Sequence, residues 1–159
     1  MATTLEVINA AQIAALLNPP MVNLSGAPSV ASSGATYFAL PMTSRLSGSG
    51  NITWSSGTNP SRVTAVVPGT YAVVGTITWP STLGTNNGRA QIQVNGSSVT
   101  NTKFSTAQGS SGNIASSCSG LQVLNAGDYL EIYANQASGA TISLTSVTLG
   151  VWLVSLATS

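Results

Sequence analysis

The sequence predicts an all-β fold, a two-sheet antiparallel sandwich behind a short N-terminal helical arm, and three observations carry that expectation. Eight to ten short apolar runs alternate with period two and are separated by turn residues at regular spacing. Asn95-Gly96 stands between two of these runs as the strongest hairpin signal, since a type I′ turn needs two residues that tolerate positive φ. Only residues 4–17 carry a helical pattern, so the strands must cover one another.

The composition supports one folded domain and an assembly. At 159 residues the chain has room for a single full core. Charged residues make up 4% and Ser, Thr and Asn together about a third, whereas hydrophobic residues are 43% and the net charge is +1. Mean hydropathy is +0.30. A disordered chain would combine low hydrophobicity with high net charge, so this one folds. A surface solubilised by hydroxyls and amides is easier to bury against a partner than one of Lys and Glu, which points to an oligomer.

Arg45, Arg62, Arg89 and Lys103 are scattered and balanced by Glu6, Asp128 and Glu131, leaving no basic stripe for nucleic acid. Cys118 is the single cysteine, so neither an intrachain disulfide nor a thiolate zinc site is expected, and it reads as a small buried residue. The first residues lack the basic start and apolar core of a secretion signal. No apolar run approaches the roughly 18 residues of a membrane span. The expectation is a chain made in a cytoplasm, with no membrane partner.

Taken in order, residues 1–20 form the arm. Thr3 and Glu6 have capping-box spacing, Leu5, Ile8, Gln12, Ile13, Leu16 and Leu17 give a mostly apolar face, and Asn18-Pro19-Pro20 ends the helix. A helix of about 14 residues is marginal alone in water, so that face must dock on the domain, on a second copy or on another protein. Residues 21–50, rich in Ser, Gly, Ala and Pro, read as an extended linker with a first strand at 37–40. Residues 51–159 hold the sandwich, with strands at 51–54, 62–67, 70–79, 89–94, 99–106, 113–124, 141–144 and 147–156. Along 70–79, Tyr71, Val73, Ile77 and Trp79 separate from Thr70, Ala72, Val74, Thr76 and Thr78, with Gly75 where a neighbour comes close.

Residues 120–136 read as one half-buried hairpin. Leu121 and Val123, then Leu130, Ile132 and Ala134, alternate on either side of Asn125-Ala126-Gly127-Asp128. Tyr129, Glu131 and Tyr133 fall on the opposite face, toward water or a partner. Val151-Trp152-Leu153-Val154 reads as a strand buried on both faces.

Several of these segments have a familiar pattern. Pro68-Gly69-Thr70-Tyr71 leading into a long strand, residues 89–96 closing on Asn-Gly, Ala126-Gly127-Asp128 before alternating apolar residues, and an apolar final strand resemble the complement globular-head and tumour-necrosis-factor-like jelly rolls, over about residues 37–156. The stretch Ala-Leu-Leu-Asn-Pro-Pro-Met at 15–21 ahead of such a domain resembles small virion proteins of tailed phages, especially of actinobacterial hosts. The resemblance implies a ten-stranded jelly roll, assembled as a compact homotrimer about a threefold axis, with a structural or adhesive role. Tyr71, Tyr129, Tyr133 and Trp152 are then candidates for the trimer interface or the core, and Leu5, Ile8, Ile13, Leu16 and Leu17 for an attachment arm. Calcium-binding members of that family carry clustered acidic loops; here only Asp128 and Glu131 lie close in sequence, so no metal is expected.

The residues for catalysis are scarce. Histidine is absent, which removes the commonest general base and the Ser-His and Cys-His nucleophile pairs. Asp128 and Glu131, three apart, leave opposite faces and do not make the facing carboxylates of a glycosidase. No catalytic residue and no cofactor is expected. Asn51-Ile52-Thr53 and Asn95-Gly96-Ser97 match the N-glycosylation pattern but serve as strand and turn residues. Trp54, Trp79, Trp152 and Tyr133 could stack on sugars, although aromatics along strands more often fill a core or interface.

The sequence therefore points to a homotrimeric decoration protein on the outer surface of a phage head, bound to the major capsid protein through its arm. The alternative is an adhesion module of a tail tip or fibre that binds a surface glycan through loops 81–88 and 107–112.

Overall fold

The computed structural model of the protein describes residues 10–50, 52–83, 86–99, 104–107 and 112–157. Among them are one helix, α1 (Ala10–Leu17), and fourteen strands. The strands are β1 (Met21–Gly26), β2 (Ser29–Val30), β3 (Phe38–Ala39), β4 (Ser44–Gly48), β5 (Ile52–Thr53), β6 (Val63–Ala65) and β7 (Gly69–Trp79). There follow β8 (Asn87–Val94), β9 (Ser97–Ser98), β10 (Phe104–Ala107), β11 (Ile114–Leu124), β12 (Tyr129–Asn135), β13 (Ile142–Ser143) and β14 (Ser146–Leu156). A 3-10 turn at Ser81–Leu83 follows β7.

The strands form two antiparallel sheets packed face to face. One runs in the order β11-β7-β14-β1-β4; the other runs β10-β8-β12-β6-β5, with β3 added on β12 and β9 on β8. A two-stranded clip, β2 with β13, ties residues 29–30 to 142–143. This is the expected all-β jelly roll.

The long central strand β7 shows why the sheets stack. Its odd-numbered residues Tyr71, Val73, Ile77 and Trp79 are buried and its even-numbered ones are not, the two-residue period of a sheet with one face on the core. At the middle of the strand a Cβ on Gly75 would collide with Ile132 Cδ1 of the facing sheet, so glycine sets how closely the layers approach. The two large polar-tipped side chains in the core are satisfied. Tyr71 donates to the Val67 carbonyl at 2.8 Å. Trp79 Nε1 donates to Ser116 Oγ at 2.9 Å, and that hydroxyl donates to the Gly88 carbonyl at 3.0 Å. The Asn95-Gly96 turn forms as expected, with φ of 50° and 76°, joining β8 to β9.

Three expectations change. Residues 21–50 are not a linker with one strand: β1 pairs with both β14 and β4 inside the five-stranded sheet, burying Val22 and Leu24. The Ser- and Pro-rich composition there reflects short, edge-proximal strands rather than an unfolded connection. Residues 120–136 are not a hairpin either. β11 pairs with β7 and β12 pairs with β8, so Asn125–Asp128 is a corner between sheets. Period-two alternation is the same whether the next strand pairs or crosses over, so the sequence pattern could not separate these cases. Finally, 151–154 is buried on one face only: Val151 is fully buried but Trp152 is 41% and Val154 55% exposed.

Candidate functional site

The two sheets bury their inner faces against each other, so the outer faces are where function can lie. On the five-stranded sheet the outer face is divided. At one end Met21 of β1, Trp152 of β14, Ala72 of β7 and Leu121 of β11 sit opposite one another in register and form a row across four strands. Val74, Val123 and Val154 extend it, and Leu46, at the bulge of β4, adds an edge. Leu121 is 63% and Val123 77% exposed. Two grooves of about 430 Å³ each flank Trp152, one bounded by Leu46 and Val74, the other by Pro19 and Met21. At the other end of the same face the register brings together Ser25, Thr148, Thr76 and Ser117. Their hydroxyls engage locally, Thr76 with Ser117 at 3.3 Å and Ser146 donating to Thr78 at 3.0 Å. Among the described residues this face carries no charged side chain on β7, β11 or β14.

The outer face of the seven-stranded sheet is built the opposite way. Glu131 is 3% exposed, and three donors converge on its carboxylate: the Ser61 hydroxyl at 2.6 Å, Arg62 Nε at 3.3 Å and the Tyr133 hydroxyl at 3.0 Å. Arg62 also lies over the Tyr129 ring, 4.2 Å from its centroid. Burial and the Glu131 carboxylate push the Tyr133 phenol up to about 12, so it stays protonated and donating at neutral pH. Asp128 belongs to a separate cluster at the corner. It accepts from the Asn125 backbone N–H and from Asn95 Nδ2, both at 2.7 Å, and these bonds hold its carboxyl below the usual carboxylate range. Asn95 Oδ1 in turn accepts from the Tyr129 N–H at 3.0 Å, which fixes the start of β12.

The structure separates the residues singled out from sequence. Tyr71 is a core residue, Trp152 lies on the apolar outer face, and Tyr129 and Tyr133 lie on the charged outer face, so the four do not share a surface. Of the arm residues, Ile13 is 48% and Leu17 82% exposed, while Ala15 packs inward. Leu5, Ile8 and the Leu16 side chain lie outside the described residues, as do parts of loops 81–88 and 107–112. Trp79 is fully buried and cannot stack on a ligand. Cys118 is buried, and burial pushes its thiol up to about 12, which makes it a core residue rather than a nucleophile. Sequence reading missed Leu121, Val123, Val74 and Leu46; their period-two alternation was visible, but which side faced the second sheet was not.

Among the described residues no three His, Cys, Asp or Glu side chains cluster to hold a metal ion. No described helix is long and apolar enough to cross a membrane.

No family model and no curated protein matches the chain. Its backbone, however, is similar to solved structures. The globular domain of zebrafish complement 1qA protein superposes with a TM-score of 0.64 at 15% identity, covering 87% of this chain and 99% of that one. Murine APRIL gives a TM-score of 0.60 at 10% identity, over 86% of this chain and 99% of that one. Eiger TNF from S. frugiperda gives 0.58 at 13% identity, over 89% and 96%. At these identities the likeness is one of fold: the chain has the complement-head and tumour-necrosis-factor type of jelly roll.

Proposed function

We propose that this chain is a self-assembling structural protein, a homotrimer joined through the outer face of its five-stranded sheet, which serves as a decoration protein on the outside of a tailed-phage head. The observation that carries the assembly is the apolar end of that face, where Trp152, Leu121, Val123, Val74, Val154 and Met21 stand together in solvent. A patch of this kind on a chain with 4% charged residues is covered in the working state. The threefold symmetry and the virion role rest on the resemblance of residues 37–156 to the jelly-roll family and of residues 15–21 to small virion proteins. In this reading α1 is the attachment arm, its exposed Ile13 and Leu17 meeting the major capsid protein. Many weak apolar contacts repeated over a shell would stabilise it without any single strong site.

Two measurements test it. The copy number of the polypeptide in purified virions should be comparable to that of the major capsid protein; a few copies per particle would move it to the tail, and absence would end the virion reading. Removing residues 1–17 should leave a folded oligomer that no longer sediments with heads. The cut stops there because the Pro19 carbonyl accepts from Ser49 Oγ and the Pro20 carbonyl from the Leu153 N–H at 2.8 Å, so those residues belong to the domain.

A further inference from the structure

Away from the apolar face, at the β5–β6 edge of the seven-stranded sheet, lies an open cavity of about 410 Å³. That volume falls in the range of small-molecule sites, about 300–1,000 Å³. It is lined by Trp54, Arg62, Tyr129, Asn59, Thr53 and Thr58, with Arg62 stacked on the Tyr129 ring. None of the structural roles described above uses this combination.

The walls are held before any ligand arrives. Trp54 Nε1 donates to the Pro60 carbonyl at 2.8 Å, fixing the ring. The loop beyond it is tied to itself: Ser55 Oγ accepts from the Gly57 and Thr58 N–H groups at 3.2 and 3.3 Å. Asn59 takes a φ of 49°, and its carbonyl accepts from the Arg62 N–H at 2.9 Å. Arg62 is gripped through Nε by Glu131 and backed by the Tyr129 ring, while its terminal nitrogens have no other partner among the described residues. Preorganisation of this kind removes the ordering cost that weakens shallow sites.

The chemistry selects the ligand class. A fixed aromatic plate beside hydroxyl, amide and guanidinium donors, in an open and half-polar hollow, suits a pyranose. Its apolar C–H face can lie on a ring while its hydroxyls reach the polar rim. Charge then narrows the choice. The buried Glu131 carboxylate already balances Arg62, so the site offers donors without net positive charge, and an anionic group would meet that carboxylate behind the guanidinium. We infer that this cavity binds a neutral saccharide unit, with Trp54 and the Arg62–Tyr129 stack as its walls.

The test uses the full chain and saturation-transfer NMR, with neutral oligosaccharides ending in glucose, galactose, mannose or N-acetylglucosamine and with uronate-terminated counterparts. Transfer to at least one neutral saccharide is expected, unchanged by added salt. Thr58→Trp, made on an exposed loop residue that lines the mouth, should abolish it while leaving the unfolding midpoint in place. Arg62→Gln combined with Glu131→Gln keeps a neutral pair at the base and should weaken binding at least about tenfold. Absence of any neutral ligand, binding that survives Thr58→Trp, or binding confined to uronates and erased by salt would each overturn the inference. Thr58 lines this cavity and not the Trp152 face, so Thr58→Trp should leave the oligomer mass unchanged, and failure here is distinguishable from failure of the assembly reading.

Discussion

The two outer faces of this sandwich solve opposite problems. On the seven-stranded sheet the polar groups are many and the chain itself satisfies them: Glu131 has three donors, Arg62 a carboxylate and a ring, Asp128 two amide donors. On the five-stranded sheet the groups are apolar and the chain leaves them uncovered, with Leu121, Val123 and Val154 all more than half exposed. One face is finished within a single copy and the other is not. The charges of Glu131, Arg62 and Asp128 are tied up in bonds within the chain, whereas the apolar patch of the other face has no such cover in a single copy.

The largest effect is expected on the apolar face. Leu121→Asp, and separately Trp152→Asp, should convert the oligomer to a monomer at micromolar concentration. Truncated central aromatic or apolar anchors of an interface cost about 2 kcal/mol or more each, and a buried carboxylate adds its desolvation. Light scattering reads the mass and circular dichroism the fold. Because Leu121 contacts solvent in the single chain, the variant monomer should keep its strand signal. A trimer that persists with both substitutions would show that assembly uses another surface, and wild-type protein that scatters as a monomer would end the proposal.

On the charged face the same kind of damage should act on folding instead. Glu131→Ala removes the acceptor for Ser61, Arg62 and Tyr133 and leaves their donors to find water in a nearly closed site. The expected loss is about 2–4 kcal/mol in urea unfolding, less than a fully buried ion pair would give because Arg62 can turn to solvent. Glu131→Gln, which keeps one acceptor oxygen of the two, should recover part of it. A loss of the same size from Leu121→Asp would erase the distinction between the faces.

Much of this was legible in the sequence, and the parts that were not share one cause. Strand periodicity gave β7, the Asn95-Gly96 turn and the inward set Tyr71, Val73, Ile77 and Trp79, because each depends on neighbours along the chain. It could not say which strand lies beside which. The crossing at Asn125–Asp128, the place of β1 between β14 and β4, and the exposure of Trp152 all depend on partners far along the chain, from Ser25 with Ser44 to Met21 with Trp152. The strand pattern sets Glu131 between two tyrosines, but Ser61 and Arg62 reach it from seventy and sixty-nine positions back. The cavity beside Trp54 is formed the same way, from a loop and a corner that only the sheet brings together.

The smallest effect is expected where the two faces meet, at the Asp128 corner, and it is read through pH. Hydrogen bonds from Asn95 and Asn125 favour the charged form in the folded chain, so the folded pKa lies below that of the unfolded chain. The stability this supplies is fully present above the ordinary carboxylate pKa of about 3.9 and is lost as pH falls through the lower folded value. The carboxylate stands in solvent, which screens its bonds, so Asp128→Asn should change stability at neutral pH by no more than about 0.5 kcal/mol. What it should change is the slope below about pH 4, where the wild-type chain loses stability and the variant loses less. Urea midpoints at neutral and acid pH measure both. An equal acid slope in the two proteins would show that the Asn95 and Asn125 bonds to Asp128 do not carry the acid sensitivity of the fold.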